Sequence, residues 1–290
     1  KVEVRDVNTS FTNVATATGG SFKYNPEVPE FRTFPAVDYD SANNRLILFG
    51  GNDDTGAYLN DIWEMRLPTL VNPQPVWRKM TPIGTPPTAR SAMVHVYDSV
   101  NQRLIIFGGY NGGALGGFYS LTLPSSGDGT WSTFTPSGTL PSNRLSSAGI
   151  YDATYQRMIV FAGHDTADLN DVWEITLPAD LLNSTSLKLT PSGTQATATT
   201  EHTMIYDSFN QTMITFAGWG ASRTNQVWKL TLPGTGQNGA WSQLSPTGTL
   251  PGIRSGHGAI YDPTNQRMIT FMGWDRMGWG RMIGWRSVSV

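Results

Sequence analysis

Hydrophobic and polar residues follow one pattern five times along the chain. Each copy starts with an alternating segment that ends in Tyr-Asp, continues through a polar turn, and enters a β-branched and aromatic run that ends at small residues. The copies are VDYDSANNRLILFGG, HVYDSVNQRLIIFGG, GIYDATYQRMIVFAG, MIYDSFNQTMITFAG and AIYDPTNQRMITFMG, ending at Gly51, Gly109, Gly163, Gly218 and Gly273. Alternation and short β-rich runs between turns predict strands. Their regular recurrence predicts a repeat architecture.

Each repeat predicts four strands, which we call a to d. Strand a ends at Tyr-Asp, and strand b ends at the small pair. Strand c carries an aromatic residue, and strand d finishes at a proline; these are Trp63, Tyr119, Trp173 and Trp228, then Pro82, Pro136, Pro191 and Pro246. One four-stranded sheet cannot bury both of its apolar faces, so we expect the copies to stack radially as the blades of a β-propeller.

The glycines after strand b, the strand-c aromatic residue and a Gly-x-x-Pro-x-x-Arg type linker together resemble kelch repeats across residues 21–290. The resemblance implies an all-β fold, a five-bladed kelch-type β-propeller. We expect blades at approximately 32–82, 90–136, 144–191, 199–246, and 254–290 plus 21–26, after an N-terminal extension of residues 1–20. The N-terminal strand would complete the C-terminal blade, next to a strand c that contains Trp285, and so close the ring. The alternative is a piece of a longer propeller or array.

The composition excludes several classes of protein. A formal net charge of -2 offers no basic excess for nucleic acid or a membrane surface, and no apolar run is long enough for membrane insertion. The absence of Cys excludes disulfides, thiolate nucleophiles and zinc ribbons. It also excludes the Tyr–Cys crosslink of galactose oxidase-type kelch propellers. The Glu-x-x-x-Asp-x-x-x-His arrangement of iron-dependent specifier proteins is missing, so we predict no cofactor and no metal.

The residue that follows the glycine differs in each copy: Asn52, Tyr110, His164, Trp219 and Trp274. Strand alternation places the b–c loops and the d–a linkers on one face, where we predict a ligand site. Its other members are Arg90, Arg144, Arg254, Asp275 and Arg276. Aromatic rings beside polar groups suit a saccharide or a protein segment, and kelch-type adaptor proteins imply a peptide. The alternative to a ligand site is a set of ordinary solvated loops. The alternative role of the arginines is to hold the d–a linkers through hydrogen bonds to carbonyl groups.

Three functions follow. The first is a non-catalytic binding or scaffold module. The second is a sugar-active enzyme such as a sialic acid mutarotase-like epimerase, with His164, Glu201, His202 and His257 near the mouth, unless these histidines are merely hydrogen-bonded at the top of strand a. The third is a structural subunit of an extracellular assembly that self-associates through residues 1–20. Sequons at Asn8, Asn183 and Asn210 and a non-Met start favour a secreted glycoprotein.

Overall fold

The computed structural model describes residues 28–70, 74–247 and 250–274, together with the backbone of 286–289. These residues form an all-β propeller of antiparallel sheets, whose strands follow one another in chain order from the innermost to the outermost. The sole helical element among them is a 3₁₀ turn at Leu181–Asn183. The predicted β architecture is therefore confirmed.

The strands fall into five sheets. The first contains β1 (Ala36–Asp40), β2 (Arg45–Asn52), β3 (Tyr58–Arg66) and β4 (Val76–Met80). The second contains β5 (Val94–Asp98), β6 (Arg103–Phe107), β7 (Phe118–Thr122) and β8 (Trp131–Phe134). The third contains β10 (Ala148–Asp152), β11 (Arg157–His164), β12 (Asp168–Thr176) and β13 (Thr185–Leu189), with β9 (Ser137–Gly138) parallel to β13. The fourth contains β14 (Thr203–Asp207), β15 (Thr212–Phe216), β16 (Val227–Thr231) and β17 (Trp241–Leu244). The fifth contains β18 (Gly258–Asp262), β19 (Arg267–Phe271) and β20 (Arg286–Ser289).

The described residues give four complete blades instead of the predicted five, because the fifth sheet has only three strands among them. The predicted closing strand at residues 21–26 lies outside the described residues, as do Trp285 and the extension at residues 1–20. Blades 1 to 5 below are numbered in chain order, and blade 5 is this three-stranded sheet.

Strand a is the innermost strand, since β1, β5, β10, β14 and β18 contact one another in that order. The hydrophobic core lies between blades, where each interface holds its own cluster of buried side chains. Phe49 of blade 1 packs against Trp131 of blade 2 with ring centroids 5.3 Å apart, and Phe161 of blade 3 packs against Trp241 of blade 4 at 5.0 Å. Aromatic side chains of strands b and d thus stabilise the stacking of successive blades.

Backbone angles explain why the first of the two positions after strand b accepts residues other than glycine and the second does not. The first has φ near +60° and is glycine in blades 1 and 2 but Ala162, Ala217 or Met272 in the others. The second has φ of 96–110° and is glycine in every blade. Non-glycine residues reach the left-handed region near +60° at moderate cost, whereas larger φ values belong almost entirely to glycine.

Buried ion pairs lie at the a–b turn end of the blades. Arg45 contacts Asp40 at 2.8 Å and Glu64 at 2.6 Å, and its third nitrogen donates to the Pro124 carbonyl of the next blade. Burial by itself would raise the pKa of Asp40, but hydrogen bonds from Asn43, Tyr97 and Arg45 lower it below its usual value. A charge with several partners is compatible with burial, so this arrangement fixes one blade to the next.

Candidate functional site

The b–c loops and the d–a linkers lie together in each blade, and we call the surface that they form the loop face. Five backbone bridges join the residue after the glycine to the linker of the same blade: Asn52 to Thr33, Tyr110 to Ser91, His164 to Leu145, Trp219 to Thr200, and Trp274 to Ser255. In each bridge both N–H groups donate to the opposite carbonyl, over 2.7–3.1 Å. The five residues singled out in the sequence are therefore structurally equivalent.

A second set of equivalent residues lines the inner end of this face, and our sequence analysis singled out only one of its members, Glu201. Four backbone hydrogen bonds connect it: Ala92 to Phe34, Ser146 to Ala92, Glu201 to Ser146, and Gly256 to Glu201, over 2.9–3.1 Å. All five have φ between 51° and 59°. We call them the mouth residues. They lie five positions before each blade tyrosine and vary in type, which is the signal that could have identified them.

Three of the predicted binding residues use their side chains in contacts inside the protein, Asn52 and His164 within their own blade and Tyr110 with blade 1. Asn52 accepts a hydrogen bond from the Thr33 hydroxyl at 2.9 Å. The Tyr110 ring contacts the Tyr58 ring edge-to-face at 5.8 Å. His164 Nδ1 lies 2.8 Å from an Asp168 carboxylate oxygen. These contacts organise the loops of blades 1 to 3.

Trp219 and Trp274 are different, because their side chains are 45% and 43% exposed. The guanidinium of Arg223 stacks on the Trp219 ring, 4.5 Å from its centroid. Arg223 Nε donates to the Ser255 hydroxyl at 3.0 Å, and Ser255 bridges to Trp274 through the backbone. These contacts therefore link the two exposed indoles, and we call the loop-face surface around them the patch on blades 4 and 5.

The predicted arginines lie beneath this surface. Arg90, Arg144 and Arg254 are each at most 1% exposed. Their Nη1 atoms donate to the carbonyls of the first small residue after strand b: Gly108 at 2.7 Å, Ala162 at 3.1 Å and Met272 at 3.0 Å. This geometry favours the linker role over ligand binding. Asp275 and Arg276 lie outside the described residues.

Two of the three histidines considered for acid–base chemistry are also buried, whereas His164 is partly exposed. His202 and His257 are 6% and 7% exposed, and each ring contacts a phenylalanine edge-on at 5.3 Å, Phe161 and Phe216 respectively. Burial lowers the pKa of both imidazoles to about 3. They are therefore neutral near neutral pH and out of contact with a ligand at the surface.

In the part of the loop face that the structure describes, carboxylates dominate the exposed charge. The b–c loops contain Asp53, Asp54, Asp165 and Asp168, and the mouth contains Glu201. Hydrogen bonds from the Thr166 and Ala167 backbone and from Ser142 lower the pKa of Asp165 to about 2, so it stays ionised. Among the described residues, no group of three His, Asp or Glu side chains is placed to hold a metal ion. No described helical element has the length and apolar character that crossing a bilayer requires.

Three relatives show how far the similarity extends. Over 287 residues the chain is 24% identical to the Host cell factor homolog hcf-1 of Caenorhabditis elegans. This alignment covers 86% of this chain and 35% of that protein. Host cell factor 2 of Homo sapiens is 30% identical over 152 residues, covering 46% of this chain and 18% of its own length. Acyl-CoA-binding domain-containing protein 5 of Arabidopsis thaliana is 33% identical over 105 residues, or 36% of this chain and 15% of that protein.

The chain thus spans about a third or less of the length of these relatives. A family model described as the KLHDC2/KLHL20/DRC7 Kelch-repeats domain matches residues 3–177 and 100–282, which together cover most of the sequence. The match agrees with the repeated glycines, the strand-c aromatic residues and the stacked antiparallel sheets. The chain therefore belongs to the kelch-repeat family of β-propellers.

Proposed function

We propose that this propeller is a non-catalytic binding module that receives a segment of a partner protein on its loop face. The observation that carries the proposal is the pair of exposed indoles, Trp219 at 45% and Trp274 at 43%, on adjacent blades of that face. Tryptophan is enriched among the residues that dominate binding energy at protein interfaces. Membership of the kelch-repeat family fits a binding module of this kind.

The binding proposal is tested by replacing both indoles. We expect the W219A/W274A double variant to lose at least about ten-fold in affinity for captured partners, because large aromatic anchors are removed. Phe209 provides a matched control: it is 82% exposed but lies in the a–b turn of blade 4, at the other end of the strands from the loop face. F209A should bind as the unaltered protein does. Partner capture that survives the double change would contradict the proposal.

A saccharide is the second candidate ligand, favoured by the same indoles, whose faces can stack on the C–H surfaces of a sugar ring. A glycan array probed with the protein and with W219A/W274A separates the two ligand classes. Binding to glycans that depends on both indoles, without capture of a protein, would replace the first proposal by the second. The burial of His202 and His257 weakens the support for the sugar-active enzyme. Equal mutarotation rates with and without Glu201→Gln would remove what support is left.

We also propose that residues 21–26 complete blade 5 and close the ring at blade 1. The support is a repeated contact: Tyr97 donates to Asp40, and Tyr206 to Asp152, in the preceding blade. Blades 1 and 5 hold the two unmatched halves of this pair, Tyr39 and Asp262. Tyr39 is 47% exposed and donates to Asn44 within its own blade.

Crosslinking tests the closure, and the absence of Cys makes an engineered pair unambiguous. In a closed ring the mouth residues Phe34 and Gly256 become neighbours, so a short bis-maleimide should crosslink F34C/G256C. A92C/S146C is the positive control, because the Ser146 N–H donates to the Ala92 carbonyl at 2.9 Å. Crosslinking of the control alone would favour the alternative of a longer propeller.

An extracellular location stays a proposal, and the sequons support it unequally. Asn210 donates its side-chain amide to Asp207 at 2.6 Å, as Asn43, Asn101 and Asn265 do to the equivalent aspartates, so its role is structural. Asn183 is exposed. After secretion from a eukaryotic host, peptide mass spectrometry should find a glycan at Asn183 and an unmodified Asn210. An unmodified Asn183 would remove the support that this sequon gives.

A further inference from the structure

The patch on blades 4 and 5 already contains one cation on an indole. Trp219 and Arg223 face each other across the b–c loop of blade 4, joined by a backbone bridge. The Arg223 guanidinium carbon lies 4.5 Å from the Trp219 ring centroid, within the range of a cation–π interaction. An indole at this position of a blade therefore accepts a guanidinium on its face.

Trp274 is the equivalent indole in blade 5, and a carboxylate lies beside it. Gly256 is the mouth residue without a side chain; where its Cβ would stand, Trp274 Cδ1 is 3.0 Å away and Glu201 Oε2 is 3.7 Å away. The other mouth residues, Phe34, Ala92, Ser146 and Glu201, all carry a side chain. Glycine at 256 thus lets the indole edge and the carboxylate approach one another, and we call these three residues the cradle.

Glu201 is half-buried, and its carboxylate makes no hydrogen bond or ion pair with the described residues. A carboxylate in that setting is only partly hydrated and gains from a cation that approaches it. The surrounding exposed charge has the same sign, from Asp53, Asp54, Asp165 and Asp168. Arg223 is the cation at the surface of the described b–c loops, and its guanidinium is stacked on Trp219. Within the described ranges, the charges of the loop face therefore favour a positive group at the cradle.

We propose that the cradle formed by Trp274, Gly256 and Glu201 binds an arginine or lysine side chain of the partner segment. The cation would stack on the Trp274 ring and pair with the Glu201 carboxylate, as Arg223 stacks on Trp219. The partner is accordingly a basic protein segment. This inference rests on the proposed binding function and adds the chemistry of the ligand.

The test measures fluorescence polarisation of three labelled Gly/Ser-rich peptides that carry two arginines, two glutamates or no charge. We expect the arginine peptide to bind most tightly. Glu201→Gln, which keeps the shape of the side chain and removes its charge, should weaken that binding about ten-fold. Asp54→Asn removes the same charge from an exposed b–c loop and leaves the three cradle residues unchanged, so it should keep the affinity within about two-fold.

Each result decides between the proposals. Equal losses in E201Q and D54N would show general attraction of charge and overturn the cradle. Trp219- and Trp274-dependent binding of the neutral or acidic peptide, with no preference for arginine, would overturn the cradle and leave the binding function standing. Failure of all three peptides to bind would count against both. Reversal of the preference towards the glutamate peptide in Glu201→Lys would be a further positive result.

Discussion

The hydroxyl of Tyr206 donates a 2.8 Å hydrogen bond to the carboxylate of Asp152, which belongs to the preceding blade. The two residues are 54 positions apart in the sequence. Tyr97 and Asp40 make the same contact between blades 1 and 2, at 2.7 Å. Burial and the neighbouring Asp152 together raise the pKa of Tyr206, so the hydroxyl stays protonated and remains a donor.

The first prediction removes this donor. Tyr206→Phe keeps the packing of the ring but leaves a buried carboxylate with one partner fewer, so we expect the free energy of unfolding to fall by about 1–3 kcal/mol. Urea denaturation followed by tryptophan fluorescence measures the change. Tyr155→Phe is the control, because its hydroxyl donates to the Pro233 carbonyl at the exposed surface, at 3.1 Å. A loss in Y206F no larger than in Y155F would show that the Tyr206–Asp152 bond adds no more than an exposed hydrogen bond between blades.

The second prediction concerns blade 4, which lacks the linker arginine. Arg144 pairs with Asp171 through two hydrogen bonds of 2.7 and 3.0 Å, whereas Thr199 and Gln226 occupy these positions in blade 4, beside a small cavity. Thr199→Arg alone buries an unpaired charge and should destabilise the protein by about 3 kcal/mol. Adding Gln226→Asp should recover most of that loss.

A double-mutant cycle in urea measures the coupling between these two changes, which we expect to be about 2–3 kcal/mol. Additive effects would mean that the guanidinium and the new carboxylate do not meet. The linker of blade 4 would then differ in conformation from the linker of blade 3.

The third prediction is a pH dependence from the buried histidines. Both have a folded-state pKa of about 3, whereas an unfolded histidine titrates near 6.5. Below about pH 6.5 the unfolded chain therefore binds protons that the folded chain excludes, and stability falls as the pH decreases towards 3. The slope is about 1.4 kcal/mol per pH unit for each histidine.

Met93 occupies the equivalent buried position in blade 2, so methionine is the natural replacement. His202→Met and His257→Met together should remove this slope between pH 6 and about 4.5, before the carboxylates become protonated. Denaturation midpoints at several pH values test it. A slope unchanged by the double substitution would mean that other groups cause the acid sensitivity.

The fourth prediction compares the two small residues of blade 4. Gly218 has φ of 106°, and a Cβ there would lie 2.9 Å from the Thr200 carbonyl oxygen and close to the Thr199 hydroxyl. Gly218→Ala should therefore destabilise the protein by about 2 kcal/mol or more. Ala217→Gly should stay within about 1 kcal/mol of the unaltered protein, because Ala217 already holds φ of 59°. Thermal unfolding of the two variants would show similar losses if the backbone angle were not the cause.

The repeat predicted strands a to d and the face that holds Asn52 and Trp219, because both follow from alternation, turn residues and the constant spacing of one blade. The glycine positions were visible as well. The sequence also showed that the first of the two positions accepts Ala or Met. It did not show the reason, which is a φ near 60° at the first position and near 100° at the second.

The sequence by itself determined the secondary structure, the blade repeat and the family. The tertiary structure decided which of the equivalent side chains are exposed, because exposure depends on neighbours supplied by other loops and blades. His164 is paired by Asp168, and His202 is enclosed against Phe161 of blade 3. Trp274 stands beside Glu201 of blade 4, 73 residues earlier in the chain, because Gly256 leaves room between them. Such proximity arises from stacking of the blades, and the periodicity within a single repeat does not encode it.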